Sequence, residues 1–182
     1  MTTRTSKPVL FVDVDGVISL FGFPRDLQDF PGTFHTVDGI AHCISMDTGE
    51  RLVRLAERFE LVWATGWEER ANDHLPWLLK LPFRELPTLT FAEAAVFGSA
   101  HWKLSAIEEY ARGRPAAWID DNLDKECEDW AAERQEPTLL VLTEPAVGMS
   151  DEQVEQLLGW ADEVSPDSVD SGLGTEEDGH PN

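Results

Sequence analysis

VLFVDVDGV, residues Val9–Val17, is the most informative stretch of this 182-residue chain. An apolar run rich in β-branched and aromatic side chains leads into two aspartates, Asp13 and Asp15. The pattern predicts a buried strand over residues 9–14 that stops where a loop begins. In open α/β sheets, the loops after the strands hold the chemistry. Because neighbouring carboxylates repel each other and lose hydration, the pair also predicts a metal ion beside it.

Composition and length favour a single soluble globular domain. Apolar residues make up 42% of the chain and charged residues 27%, as in ordinary globular proteins with a real core. The segment Met1–Lys7 is short and polar, and the apolar run after it ends at aspartates, which predicts neither a signal peptide nor a membrane span. Cys43 and Cys127 form no metal-binding pair, so we expect idle thiols in a reducing compartment and a cytoplasmic protein.

The chain is strongly acidic, with a formal net charge of −21. Ten acidic residues and no Lys or Arg lie between Ser150 and Asn182. Because affinity for nucleic acid comes largely from Lys and Arg, stable nucleic-acid binding is not expected. Few apolar residues follow Ser165, so ordering this end would bury too little surface to offset chain entropy. We therefore expect a catalytic domain over residues 1–163 and an acidic disordered tail over residues 164–182.

Short apolar runs alternate with helical patterns, which predicts βαβ units around a parallel sheet and hence an α/β fold. Residues 18–46 interrupt the alternation with Gly, Pro and Phe, a composition that favours turns or a small hairpin inserted as a flap after the first strand. Such a loop commonly covers a catalytic site, and an ordinary irregular connection is the alternative. The other predicted strands are 61–64, 115–119 and 138–142, with a short one near 86–89, and the predicted helices are 47–59, 67–80 interrupted at Pro76, 103–112, 123–134 and 151–160.

Several residues suit phosphate chemistry, which needs a nucleophile, a proton donor for the leaving oxygen and positive charge near the phosphate. Asp13 is the expected nucleophile, and Asp15 the expected acid and base. Thr65 and Gly66 follow a predicted strand, where a hydroxyl and backbone N–H groups can bind a phosphate oxygen, although Thr-Gly is also common in plain turns. Lys103, near the start of a predicted helix, would supply an ammonium group, and a solvated surface lysine is the alternative.

A second predicted strand also ends in acids. Asp120 and Asp121 follow the apolar run Ala116–Ile119 much as Asp13 follows the first strand. If the two strands are neighbours, their carboxylates form an oxygen-rich pocket of the kind that Mg²⁺ prefers. Capping of the next helix is the alternative for Asp121 or Asn122.

These pieces resemble the four motifs of the haloacid dehalogenase (HAD) superfamily. The motifs are residues 13–17, Thr65, Lys103 and the pair at 120–121, in the order that the superfamily uses. The resemblance implies a Rossmann-like parallel sheet sandwiched by helices, with a minimal cap or none, since the spacing between motifs leaves room only for a small flap. Dehalogenases of the superfamily lack the second acid, so the presence of Asp15 implies phosphate chemistry instead.

The resemblance also implies Mg²⁺-dependent hydrolysis of a phosphomonoester, with phosphorylation of Asp13 and with Asp15 as acid and base. The phosphate would be held by Thr65, Gly66 and Lys103. The metal would be held by Asp13, by the backbone carbonyl of Asp15 and by the fourth-motif acids, with Asp121 as the direct ligand and Asp120 as its support.

A narrower resemblance rests on WATGW at residues 63–67, on Asn72 and on WIDD at residues 118–121. These segments resemble the compact HAD domains of bacterial Swiss army knife RNA-repair proteins, which implies dephosphorylation of polynucleotide ends. Two other functions stay open: a phosphatase for nucleotides or sugars, and a catalytically idle HAD-like module that binds or regulates a partner. Trp67 could stack on a base, but a tryptophan at such a position is more often a core residue.

Overall fold

The structure is a computed structural model that describes residues 7–96 and 98–165. The acidic tail expected over residues 164–182 lies outside this part of the chain except for its first two residues, and Val164 ends the last helix. A 3-10 turn (His101–Lys103) precedes the third helix. The strands are β1 (Val9–Val12), β2 (Ser19–Leu20), β3 (Gly32–Val37), β4 (Ile40–Ser45), β5 (Glu60–Trp63), β6 (Ala116–Asp120) and β7 (Thr138–Leu142), and the helices are α1 (Thr48–Ala56), α2 (Arg70–Leu78), α3 (Leu104–Ala111), α4 (Lys125–Glu133) and α5 (Asp151–Val164).

β1 is an inner strand of the main sheet. Four parallel strands lie in the order β5-β1-β6-β7, so β1 pairs with β5 on one side and with β6 on the other. Every residue of β1 is buried, as expected for a parallel sheet covered on both faces. The strand ends two residues earlier than predicted, and its register aligns Val12 with Trp63 and Ile119. The three strands therefore end at the same level.

Helices cover both faces of this sheet. Because side chains alternate along a strand, Leu10 and Val12 pack into one core and Val9 and Phe11 into the other. The first core also contains apolar residues of α1, α2 and α5, and the second contains apolar residues of α3 and α4. The fold is a Rossmann-like α/β sandwich, as the sequence predicts.

The insertion between β1 and α1 forms a second sheet, with three antiparallel strands in the order β2-β4-β3. β3 and β4 form a hairpin whose two-residue turn, Asp38-Gly39, has φ values of 52° and 82°. Positive φ at both positions matches the twist of the flanking strands, and Asp-Gly favours this turn. The segment predicted as turns or a small hairpin therefore contains a hairpin and a third strand.

Two local predictions differ from the structure. α2 begins at Arg70 rather than at residue 67, runs through Pro76 and ends two residues later. Proline has no N–H and so removes one helical hydrogen bond, but near the end of the helix this loss leaves the earlier turns intact. The strand predicted near residues 86–89 is reduced to a single bridge between Trp63 and Thr88.

Asn72 fastens this short segment to the sheet. Its Oδ1 accepts hydrogen bonds from Trp63 Nε1 at 2.9 Å and from the Leu86 N–H at 3.0 Å. Its Nδ2 donates to the Leu86 carbonyl at 2.9 Å and to Thr88 Oγ1 at 3.1 Å. These bonds add to the two backbone hydrogen bonds that join the segment to β5, from the Trp63 N–H to the Pro87 carbonyl at 2.8 Å and from the Leu89 N–H to the Trp63 carbonyl at 2.9 Å.

The two cysteines are buried and unbridged, Cys43 on β4 and Cys127 in α4. Both positions fit the expectation of idle thiols. Within residues 7–96 and 98–165, the helices are too short or too polar to cross a membrane.

Asn72→Ala should lower the free energy of unfolding by about 2–3 kcal/mol, because the ring N–H of Trp63 and the backbone N–H of Leu86 lose their acceptor. Urea unfolding measures this loss. Asp73→Ala, an exposed substitution on the same helix, is the matched control and should stay within about 0.5 kcal/mol of the parent protein. Equal effects of the two substitutions would show that the Asn72 network does not stabilise the fold.

Candidate active site

The carboxyl ends of β5, β1 and β6 bring three of the predicted motifs together. Asp13 directly follows β1, and Asp120 is the last residue of β6. The Asp13 N–H donates to the Ile119 carbonyl at 3.1 Å. The N–H of Ala64, the residue before Thr65, donates to the carbonyl of Val12 at the end of β1, at 2.9 Å. Residues that follow neighbouring parallel strands meet at one edge of the sheet, the usual place for a ligand in this class of fold.

Lys103 lies between the two aspartates. It is the last residue of the 3-10 turn before α3. Its Nζ is 3.0 Å from Oδ2 of Asp13 and 2.7 Å from Oδ2 of Asp120. Because only 4% of its side chain is exposed, the alternative of a solvated surface lysine is wrong. An ammonium group this far from water requires negative partners.

Burial and charge together set the protonation of these groups. Desolvation raises the pKa of Asp13 above its ordinary value, while Lys103 opposes this rise and Asp120 adds to it. Burial alone would lower the pKa of Lys103, but the charges of Asp13 and Asp120 outweigh burial and raise it. The lysine therefore stays charged, and a further cation beside Asp13 would favour the ionised carboxylate.

Asp121 supplies a third carboxylate. Burial and the neighbouring charge of Asp120 raise the pKa of Asp121 to about 6. Its side chain packs against Gly16, which has a φ of +73° and where a Cβ atom would overlap the Asp121 side chain. Glycine is thus required twice here, for the positive φ and for the close approach of Asp121 to the loop after β1.

Three carboxylates at this edge could hold a divalent cation. One oxygen each from Asp13, Asp120 and Asp121 lies within 4.8 Å of the others. Asp120 already binds Lys103 and accepts a hydrogen bond from the Asn122 N–H at 2.9 Å, whereas Asp121 accepts one bond, from Asn122 Nδ2 at 2.6 Å, and is the more exposed of the pair. This donor set fits Mg²⁺, which prefers carboxylate and carbonyl oxygens. It also leaves Asp121 better placed than Asp120 as a direct ligand.

The side chain of Asp15 has different partners from the three carboxylates. Trp67 Nε1 donates to Asp15 Oδ2 at 3.0 Å, and His42 Nδ1 lies 3.9 Å from Oδ1. The cluster of three carboxylates does not include that of Asp15, and the resemblance implies a metal contact through its backbone carbonyl instead.

Thr65 and Gly66 follow β5 at the same edge of the sheet. Thr65 is fully buried, and its Oγ1 accepts a hydrogen bond from the Trp67 N–H at 3.2 Å. Gly66 lines a cavity of about 690 Å³ that opens beside the charged groups, a size typical of small-molecule sites. The cavity wall combines the four motif aspartates and Lys103 with apolar side chains, among them Phe21, Trp102 and Pro145.

Comparison with known proteins identifies the family of this chain. The family described as "HAD domain in Swiss Army Knife RNA repair proteins" matches residues 9–154. The chain belongs to this HAD family. The HAD domain of the effector protein Lem4 from Legionella pneumophila has a similar structure, with a TM-score of 0.54, 13% sequence identity, and an alignment that covers 90% of this chain and 98% of that one. At this identity the likeness shows the fold alone. No curated protein matches the chain.

The helix after β6 is capped in this HAD domain, but by Asp124, a residue that the sequence analysis does not consider. α4 begins at Lys125, and Asp124 Oδ1 accepts a hydrogen bond from the Cys127 N–H at 3.1 Å. Capping by Asp121 or Asn122 is therefore wrong, and both side chains stay at the cavity.

Sequence reasoning also missed Thr143, which follows β7. Its Oγ1 donates to the Gly16 carbonyl at 2.8 Å, and its N–H donates to the Asp120 carbonyl at 3.1 Å. These bonds tie the loop after β1 to the end of β6. No local pattern could reveal a contact between residues 127 positions apart. Trp67, in contrast, lies inside the WATGW segment, so the HAD resemblance could have suggested a role for it.

Lys103→Met should lower the free energy of unfolding by about 3–5 kcal/mol near pH 8, because Asp13 and Asp120 would then be buried side by side without the ammonium group. The loss should shrink as the pH falls to about 5. The raised pKa of Asp13 makes the folded state bind a proton more strongly than the unfolded state, so stability decreases as the pH rises. Urea titrations in EDTA across this range measure the effect.

Lys125→Met is the matched control for that series. Lys125 pairs with Asp129 on the exposed surface of α4, so its loss should change stability little and with little pH dependence. A constant loss for Lys103→Met across the pH range would contradict the buried charge cluster.

Proposed function

We propose that this HAD domain is a Mg²⁺-dependent phosphomonoester hydrolase that acts through a phosphorylated Asp13. The observation that supports it most strongly is the contact of Lys103 Nζ with both Asp13 and Asp120, at 3.0 and 2.7 Å, on the wall of a cavity. The buried lysine, together with a divalent cation held by the acids, would offset the charge of a phosphate beside the carboxylate that attacks it. Every residue type that the HAD motifs require is present.

The first step forms a covalent enzyme intermediate. The Asp13 carboxylate attacks phosphorus, and the bond between phosphorus and the leaving oxygen breaks. Asp15 gives its proton to that oxygen, which departs as an alcohol. Lys103 offsets the negative charge on the phosphoryl oxygens, and Gly66, which follows the buried Thr65 and lines the cavity, would present its N–H to the same oxygens.

The second step releases phosphate and restores the enzyme. Asp15, now ionised, takes a proton from a water molecule that attacks the phosphorus of phospho-Asp13. The acyl phosphate bond breaks, inorganic phosphate leaves, and Asp13 is again a carboxylate. The same side chain thus serves as acid and then as base.

The proposed metal ligands are Asp13, Asp121 and the backbone carbonyl of Asp15, and Asp120 would support them. Bound there, Mg²⁺ would offset the charge of the phosphoryl group beside Lys103. Three acids within 4.8 Å at this point support that role. We also propose a cytoplasmic location, which suits the unbridged state of Cys43 and Cys127.

A phosphorylated polynucleotide end is one proposed substrate, and it rests on the family's occurrence in RNA-repair proteins. A nucleotide or sugar phosphate is the other, and the charge of the cavity favours it. Among the described lining residues, Lys103 is the cation, beside four aspartates. A polymer with many phosphates would meet repulsion from these acids and from a chain of net charge −21.

Asp13→Asn should abolish Mg²⁺-dependent hydrolysis of p-nitrophenyl phosphate, a loss of at least about 10³-fold, because the amide cannot attack phosphorus. EDTA should abolish the activity of the parent protein in the same assay. Asp129→Asn, the same chemical change on the exposed surface of α4, is the matched control and should keep full activity.

Equal metal-dependent activity in Asp13→Asn and the parent protein would show that Asp13 is not the nucleophile. Mg²⁺ binding with no turnover of any phosphorylated compound in a broad panel would favour the idle binding module instead.

A second assay separates the two proposed substrate classes. We expect higher kcat/KM for mononucleotides and sugar phosphates than for oligonucleotides with 3′- or 5′-phosphates, because a longer polyanion adds repulsion. The difference should narrow when salt screens the charges. A higher kcat/KM for the oligonucleotides at low salt would reverse this assignment and support end repair.

A further inference from the structure

The indole of Trp67 makes a contact that its burial alone does not explain. Only 7% of the residue is exposed, yet its ring N–H donates to Asp15 Oδ2 at 3.0 Å. Asp15 itself lies at the cavity, and 52% of its side chain is exposed. A half-exposed carboxylate samples several rotamers unless a neighbour fixes one of its oxygens. Trp67 is positioned to do that.

The inserted sheet packs against the indole of Trp67 through His42. His42 on β4 contacts the Trp67 ring edge-on, with ring centroids 4.7 Å apart. His42 Nδ1 is in turn 2.9 Å from Ser19 Oγ on β2, and Ser19 pairs with Asp15 in an isolated bridge. The indole is therefore enclosed between the insertion and the loop that carries Asp15.

Trp67 also contacts the second motif. Its backbone N–H donates to Thr65 Oγ1 at 3.2 Å, so one residue joins the loop after β1 to the loop after β5. Its two N–H groups bind one group from each motif. This double contact makes a purely space-filling role insufficient, because a space-filling residue needs no ring N–H.

We infer that Trp67 is a positioning residue for Asp15, and that His42 of the inserted sheet keeps Trp67 in place. The inference rests on the proposed function, in which Asp15 protonates the leaving oxygen. With Oδ2 fixed by the indole, Oδ1 is left to exchange the proton, since His42 Nδ1 is 3.9 Å away and already contacts Ser19. Correct alignment of an acid is worth a large part of its effect on the rate.

The experiment compares two substrates that differ in their need for an acid. p-Nitrophenyl phosphate releases a stable anion and needs little protonation, whereas phenyl phosphate releases a more basic oxygen. The measured quantity is kcat/KM, which includes the step that breaks the bond to the leaving group. Trp67→Phe keeps an aromatic ring but removes the ring N–H. Its kcat/KM should fall about 10-fold more for phenyl phosphate than for p-nitrophenyl phosphate.

Trp130→Phe is the matched control. The Trp130 ring N–H also donates to a carboxylate, Glu108 Oε2 at 3.0 Å, on α4 and α3 away from the cavity. This variant should lower kcat/KM for both substrates by the same factor, or not at all. A purely structural effect reduces the amount of native enzyme and cannot distinguish between two substrates.

The outcomes separate the inference from the proposed function. Equal losses on the two substrates in Trp67→Phe would overturn the positioning role while leaving the hydrolase proposal intact. No activity of the parent protein on either substrate would overturn the proposed function and this inference with it. If Trp67→Phe does not fold, His42→Gln gives the decision: a larger loss with phenyl phosphate supports the inference, and equal losses overturn it.

Discussion

A buried ammonium group between two carboxylates is the interaction on which the rest of this structure depends. Lys103, Asp13 and Asp120 are all nearly excluded from water, where each charge alone would be costly. The cost falls only when the ammonium lies within hydrogen-bonding distance of both carboxylates. The parallel pairing of β1 with β6 brings the two acids together, and the 3-10 turn before α3 adds the lysine. The fold thus buries the three charged groups next to one another, so that each charge has a partner.

The sequence predicts the main sheet well, for a physical reason. β7 has the predicted bounds, and β1, β5 and β6 lie within two residues of theirs, because strands buried on both faces must be continuous apolar runs. The order of the strands in the sheet cannot be predicted in the same way. Periodicity does not say that β1 lies between β5 and β6, and the shared contact of Asp13 and Asp120 with Lys103 depends on that order. The HAD resemblance implied that Asp13 and the pair at 120–121 share a metal, whereas residue spacing alone left open whether their strands are neighbours.

Local chemistry explains where the structure differs from the sequence predictions. The Asp38-Gly39 turn is a strong hairpin signal, but the composition of residues 18–46 as a whole does not predict the third strand beside it. Pro76 predicts an interruption, yet a proline near the end of a short helix removes one hydrogen bond and no more. Trp67 fits the pattern of a core residue and is one. Because an indole has an apolar body and one polar edge, burial does not exclude a functional contact.

The ring contact between His42 and Trp67 has an evolutionary consequence. The insertion that carries His42 begins a few residues after Asp15, and Phe21 from the same segment lines the cavity. Mutations that reshape this segment to admit another compound would also shift the indole that holds Asp15. Under the proposed function, a change in the range of substrates would then also change how fast Asp15 transfers its proton, so specificity and rate should vary together among descendants of this protein.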